Sequence, residues 1–265
     1  MSSTLAQATR HQFTILRVGL MFLTRLPVGS IPAFRTEWLG QSMIYFPLIG
    51  ALVGSSSAAV AWLLFGHVST WLAMLAALLT SVLATGGFHE DALADAADGL
   101  VGGRTVEQRM EIMKDSRVGT YGVLALWFSL SAKLICLHDL ALHDLARLLG
   151  LFVVAHALAR ASSVGLLYAL PYVQREQAKG GAFAQATLGI VVCNLCASAL
   201  LAIVLLGPVL GVACLGVLVI ITVATGYYFH AKIGGISGDC LGAATQIVEL
   251  GCYVTVLALT VPVTP

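Results

Sequence analysis

The sequence predicts an all-α, polytopic integral membrane protein: a helical bundle of about seven transmembrane helices (six to eight) with amphipathic surface helices beside it. Hydrophobic residues make up 58% of the 265 and charged residues only 10%, against roughly 45–50% and 25% in soluble domains. The apolar residues gather in runs of about 20, the length that crosses a bilayer as a helix. The few charges collect between the runs, and no Pro-rich, Ser-rich or repeat segment marks a boundary, so residues 1–265 read as a single integral membrane domain.

The elements follow in order. Residues 11–26 read as an amphipathic helix in the membrane interface, with Phe13, Ile15, Leu16, Leu20, Met21 and Phe22 towards lipid or protein and Arg17 and Arg25 snorkelling to water. The N-terminus does not read as a signal peptide, because Arg10, Arg17 and Arg25 interrupt its apolar positions and no small-residue cleavage site follows. After Pro27 and Pro32, apolar runs lie near 39–65, 68–87, 118–137, 145–170, 186–206, 208–230 and 243–262. Between the second and third runs, residues 104–113 alternate charge with Val106, Met110, Ile112 and Met113, the pattern of a helix lying along the membrane surface.

An even number of spans separates the basic loop of Arg104, Arg109, Lys114 and Arg117 from that of Arg175 and Lys179, and the latter from Lys232. All fall on one side, which the positive-inside rule makes cytoplasmic. Net charge +1 argues against a nucleic-acid partner, which would want a basic surface. The six cysteines stand mostly inside apolar runs and read as small apolar residues. Six histidines, His11, His67, His138, His143, His156 and His230, are scattered and read as interfacial; His89 stands apart beside the acidic cluster. Glu249, inside the last run, is expected to face protein, because a membrane carboxylate is costly against lipid.

Seven of the thirteen carboxylates lie between Gly86 and Gly122. Asp91, Asp95 and Asp98 are spaced i, i+4, i+7, so a helix carries them within roughly 60° of arc. Carboxylates placed so repel unless a cation joins them, which points to a hard divalent ion, Mg²⁺ first. The alternative is a solvated acidic turn at a membrane edge. Glu90 could join the metal shell but points about 100° from Asp91. His89 could be a ligand, a phosphate donor or a general base.

Two further segments meet this cluster at the same face. In KDSRVGTYG, residues 114–122, Lys114 and Arg117 are the two usual kinds of phosphate-binding cation, beside glycines that allow close approach. GGISGD, residues 234–239, can turn backbone N–H groups to an anion, and Asp239 can bind metal or accept a proton. Together they form a kit for phosphoryl transfer.

GGFHEDALADAADG, EIMKDSRVGTYGVLAL and GGISGDCLGA resemble the signature segments of the adenosylcobinamide-GDP ribazoletransferases, also called cobalamin-5′-phosphate synthases; TRLPVG and YFPLIGALVG extend the likeness over most of the chain. The resemblance implies a bacterial inner-membrane enzyme, active on the cytoplasmic side in contact with membrane lipid. It implies joining of adenosylcobinamide-GDP to α-ribazole or its 5′-phosphate with release of GMP, and Mg²⁺ as cofactor. Matched residue by residue, it implies Asp91, Asp95 and Asp98 for metal; Glu90 is a candidate only from its place beside Asp91. Asp239, His89, Lys114, Asp115 and Arg117 are implied for catalysis, and Lys114, Ser116, Arg117, Gly119, Gly235 and Gly238 for substrate. Ala92 stands where a glycine is usual, and Glu90 is an unusual acid there. Two other readings remain: a CDP-alcohol phosphotransferase, from the near match of DAADGLVGGR at 95–104 to that family's motif, and an ion-coupled transporter, from acids near apolar spans.

Overall fold

The computed structural model describes residues 2–173 and 186–261, with side chains from residue 6 onwards. Arg175 and Lys179 lie outside the described residues. The order is α1 (Ser2–Leu23), α2 (Glu37–Ser42), α3 (Phe46–Leu64), α4 (Thr70–Thr85), α5 (Phe88–Gly102), α6 (Val106–Lys114), α7 (Thr120–His143), α8 (Leu145–Ala169), α9 (Leu188–Ile233) and α10 (Gly238–Thr260). The all-α expectation holds, and the protein is a multi-pass membrane protein. Residues such as Leu200, Val204, Val209 and Ile220 turn apolar side chains outwards along their helices, as lipid-facing surface requires.

Among the described residues, five helices are long and apolar enough to cross a membrane, or six if α4 and α5 count as one bent span. Two local features separate this from seven simple spans. The long α9 is broken at Gly207, whose φ of 79° and ψ of 168° leave the helix, with Pro208 restarting it. A Cβ on Gly211 would lie 2.9 Å from the Ala202 carbonyl, so the chain doubles back there and its two arms match the runs at 186–206 and 208–230. Counted apart, the arms bring the total to six, or to seven with the bent α4–α5 pair included.

The run at 68–87 is shorter than expected. Ser69 caps α4, accepting the Leu72 N–H, and Gly86 and Gly87 end it, both at φ 71° in the left-handed region that favours glycine. The consecutive glycines turn the chain by 86° into α5, which therefore runs across the bundle end instead of through it.

α8 is the central helix: 78% of its apolar window is buried, against 28% in α7. Gly50 and Gly54 of α3 explain how α3 approaches it, since a Cβ on either would overlap the backbone of His156 or Phe152. This small-xxx-small spacing lets two helix backbones touch. Asp144 joins α7 to α8, capping α8 through the Arg147 N–H at 2.9 Å and pairing with the Arg147 side chain at 3.3 Å. That arginine is a basic residue at the end whose connecting loops, near 66–67, 138–144 and 207–208, hold no Lys or Arg.

At the opposite end, α1 begins well before residue 11 and stops at Leu23, with Ile15 and Val18 buried and Phe13 and Met21 exposed. Arg17 does not snorkel freely; its guanidinium donates to the carbonyls of Val28 and Ser30. Arg25 lies over Gly86, and its N–H donates to the Ala84 carbonyl, fixing α1 to the end of α4.

Candidate active site

The 86° bend places α5 across the end of the bundle where α7 and α10 begin and α8 and the second arm of α9 end. Its small residues let it lie close, and a Cβ on Gly242 of α10 would overlap the Ala92 methyl. The helical expectation for 91–98 holds, but its carboxylates divide their attention. Asp91 is exposed and Asp95 half-buried, whereas Asp98 is only 7% exposed. Both Asp98 oxygens are engaged: Oδ2 accepts the Gly119 N–H at 2.7 Å and Oδ1 the Gly122 N–H at 2.9 Å. Asp98 thus caps α7 from a neighbouring helix and fixes the end of the 114–122 segment to α5.

Asp239 completes the group from α10. Ser237 caps that helix by accepting the Cys240 N–H, and the first turn carries Asp239 within electrostatic range of both Asp91 and Asp95. The preceding glycines have separate tasks. Gly235 lies so close to Pro171 that a Cβ would overlap its carbonyl oxygen, which permits Ile236 to exchange backbone hydrogen bonds with Pro171 and Val173, each at 2.9 Å. Gly238 faces the Tyr172 hydroxyl, which a Cβ would approach to 3.4 Å.

Among the described residues no three His, Cys, Asp or Glu side chains form a ready metal site. A Mg²⁺ ion would need no such cage, because it keeps several waters and takes one or two carboxylates plus substrate phosphates. Asp91 and Asp95 supply such a pair on one exposed helix face.

The segment that carries the cations is fixed to α5 through Asp98. α6 starts at a Thr105 cap that accepts the Gln108 N–H and packs on α5, where a Cβ on Gly99 would meet Met113 at 2.5 Å. This is the surface helix expected at 104–113. Arg109 ties it to the end of α9 through the Lys232 carbonyl at 2.7 Å. Lys114 ends α6 and is exposed, as is Ser116. The Arg117 side chain is 87% exposed and its fork grips Asp115, Nε to Oδ1 at 3.0 Å. That contact holds the Asp115 carboxyl down to about 2.

His89 and Glu90 turn the other way, into the bundle. Glu90 accepts the Gln246 amide at 3.0 Å, and its second oxygen is buried with no hydrogen-bond partner. Behind it lies a charged cluster. Lys133 Nζ donates to Gln246 Oε1 at 2.6 Å and Glu249 Oε1 at 2.8 Å, while Glu249 Oε2 faces His156 Nδ1 at 3.2 Å and Arg160 Nη1 at 3.7 Å. Glu249 is 1% exposed and faces protein, as expected. His156 is corrected: it is 2% exposed in the bundle centre and not interfacial, because the contact of α3 with α8 seals it from lipid. Lys133 and Arg160 have a sequence signal, a lone cation within an apolar run, which is a functional marker by default.

The chain matches the family model described as cobalamin-5-phosphate synthase over residues 15–257. It is 40% identical over 254 residues to the adenosylcobinamide-GDP ribazoletransferase of Shewanella halifaxensis (strain HAW-EB4), covering 96% of this chain and 98% of that protein. It is 36% identical over 256 residues to the protein of the same name from Vibrio cholerae serotype O1 (strain ATCC 39315 / El Tor Inaba N16961), covering 96% and 97%. No solved structure matches. The match spans every element of the site from α1 to α10, and the chain belongs to the cobalamin-5-phosphate synthase family, as an enzyme of the transferase class.

Proposed function

We propose that this chain is an adenosylcobinamide-GDP ribazoletransferase of the bacterial cytoplasmic membrane, joining adenosylcobinamide-GDP to α-ribazole or α-ribazole 5′-phosphate with release of GMP. The acceptor 3′-hydroxyl oxygen bonds to the phosphorus that carries cobinamide, the bond from that phosphorus to the GMP phosphate oxygen breaks, and the hydroxyl proton passes to a base. The observation that carries this reading is the meeting of Asp91 and Asp95 on α5 with Asp239 on α10, at the bundle end that also presents Lys114 and Arg117. Basic residues concentrate at that end, which supports a cytoplasmic site.

Asp91 and Asp95 would hold Mg²⁺, which when bound neutralises charge on the diphosphate. Lys114 and Arg117 grip its remaining oxygens, Arg117 exchanging Asp115 for phosphate. Asp239, on α10 within electrostatic range of the α5 carboxylates, accepts the hydroxyl proton, while His89 orients the acceptor. The test is GMP release by the purified protein from adenosylcobinamide-GDP and α-ribazole 5′-phosphate, with Mg²⁺ and then with EDTA. Release that needs acceptor and metal is expected; folded protein that releases none with both present overturns the reading.

A further inference from the structure

Beneath the carboxylates lies a cavity of about 220 Å³ between the ends of α1, α3, α5, α8 and α10. Its lining includes Phe22, Phe46, Phe88 and Tyr172, with His89 and Arg160 as its charged or ionisable members. The rings form a cluster, Phe22 edge-on to Phe88 with centroids 5.5 Å apart and nearly parallel to Phe46 at 6.3 Å.

Two polar atoms of the lining residues lack a partner. His89 Nδ1 and Arg160 Nε are both buried without a hydrogen bond, on side chains 3% exposed. Buried polar groups are ordinarily paired, and the exceptions ask for an explanation. Arg160 cannot swing away to find one, because its Nη1 is held by His156 at 2.9 Å and faces Glu249. A ligand acceptor entering the cavity would supply the missing bond.

We infer that this cavity binds the heteroaromatic base of the acceptor nucleoside, a flat, largely apolar bicyclic ring stacked among Phe22, Phe46 and Phe88, with its free ring nitrogen towards His89 and Arg160. The inference rests on the reading above that the acceptor is an α-ribazole. A corrin is several times too large for the cavity. A guanine base carries several donors and acceptors that these apolar walls would leave unpaired, at a cost in affinity. A dialkylbenzimidazole glycosylated through one nitrogen has a single remaining acceptor, matching an aromatic slot with few polar atoms. The position agrees: Gly238, on the lining, immediately precedes Asp239, and His89 lies two residues before Asp91. A base seated here directs its ribose to the carboxylates.

The test uses the detergent-solubilised full chain without Mg²⁺ or the GDP donor, so that binding is read apart from turnover. α-Ribazole is titrated beside the same riboside with its free ring nitrogen replaced by CH, an indole riboside. The indole compound is expected to bind about 10-fold more weakly, the effect of one buried hydrogen bond, and guanosine is expected not to displace α-ribazole. In a separate turnover assay with Mg²⁺ and the GDP donor restored, Leu167→Phe and Leu241→Phe, which enlarge lining side chains, are expected to raise the α-ribazole KM at least ~10-fold while the donor KM stays unchanged. Equal binding of the two ribosides, displacement by guanosine, or an α-ribazole KM indifferent to both fillings in folded protein overturns the cavity and leaves the reaction standing. α-Ribazole binding with the expected selectivity but no GMP release supports the cavity and overturns the reaction.

Discussion

Asp98 of α5 receives the Gly122 backbone N–H of α7 at 2.9 Å, with its other oxygen on Gly119 at 2.7 Å. A carboxylate on one helix therefore does for another what an N-terminal cap does within a helix. The glycines follow from it, since a Cβ on Gly119 would lie 2.5 Å from Asp98 Oδ1 and one on Gly122 would overlap Oδ2. Asp98→Asn keeps one acceptor and turns an NH₂ towards an amide. It should cost about 1–3 kcal/mol of stability and lower kcat, with the Mg²⁺ midpoint of activity unchanged. Gly122→Ala should act in the same direction. Thermal unfolding in detergent beside a Mg²⁺ titration of turnover reads both.

Asp91→Asn and Asp95→Asn should do the reverse. Neither carboxylate holds the fold as Asp98 does, so unfolding temperatures should stay near wild type while the Mg²⁺ concentration for half-maximal GMP release rises by about 10–100-fold. Folded variants with wild-type turnover and Mg²⁺ dependence would remove both residues from the metal assignment.

The cluster around Glu249 is expected to respond to single and not to paired changes. Glu249→Gln leaves Lys133 and Arg160 in the bundle centre without their anion, and breaking a buried pair from one side costs about 3–5 kcal/mol. Lys133→Met with Glu249→Leu removes two opposite charges together and should cost less than Glu249→Gln alone. Unfolding temperatures of the three proteins in one detergent decide it.

Asp115 offers a pH prediction. Its carboxyl is held down to about 2 from an ordinary 3.8, first by the Arg117 side chain and then by its backbone N–H. A depressed carboxylate pKa means that the pairing is in place above 3.8 and is lost as pH falls through about 2. Carboxyl ¹³C titration of Asp115 should show the low midpoint in the wild type and a return towards 3.8 in Arg117→Gln. An unmoved midpoint would place the cause elsewhere.

Much of this was legible in the sequence because a bilayer imposes its own grammar. Run length, basic loops and the Asp91, Asp95, Asp98 face each follow from one local rule. Gly207–Pro208 even divides α9 correctly into its two arms. What escaped is non-local. Spacing puts Asp98 on the face of Asp91, yet the side chain answers to amides 21 and 24 residues away. Averaged hydropathy conceals Lys133 and Arg160, and nothing local pairs Lys133 with a glutamate 116 residues later. Gly86 and Gly87 announce a turn, but its 86° angle, which lays α5 across the bundle end, depends on how α5 seats against α10.

The charged cluster has a consequence for how the protein is made. Synthesis runs from the N-terminus, so Lys133 and Arg160 enter the bilayer with α7 and α8, and their anion arrives only later, with α10. Each lone cation at the centre of an inserting helix costs about 2.5–3.5 kcal/mol. The nascent chain therefore carries unneutralised charge until α10 docks, and a ribosome that stops short of Glu249 leaves Lys133 and Arg160 without the anion they face in the finished bundle.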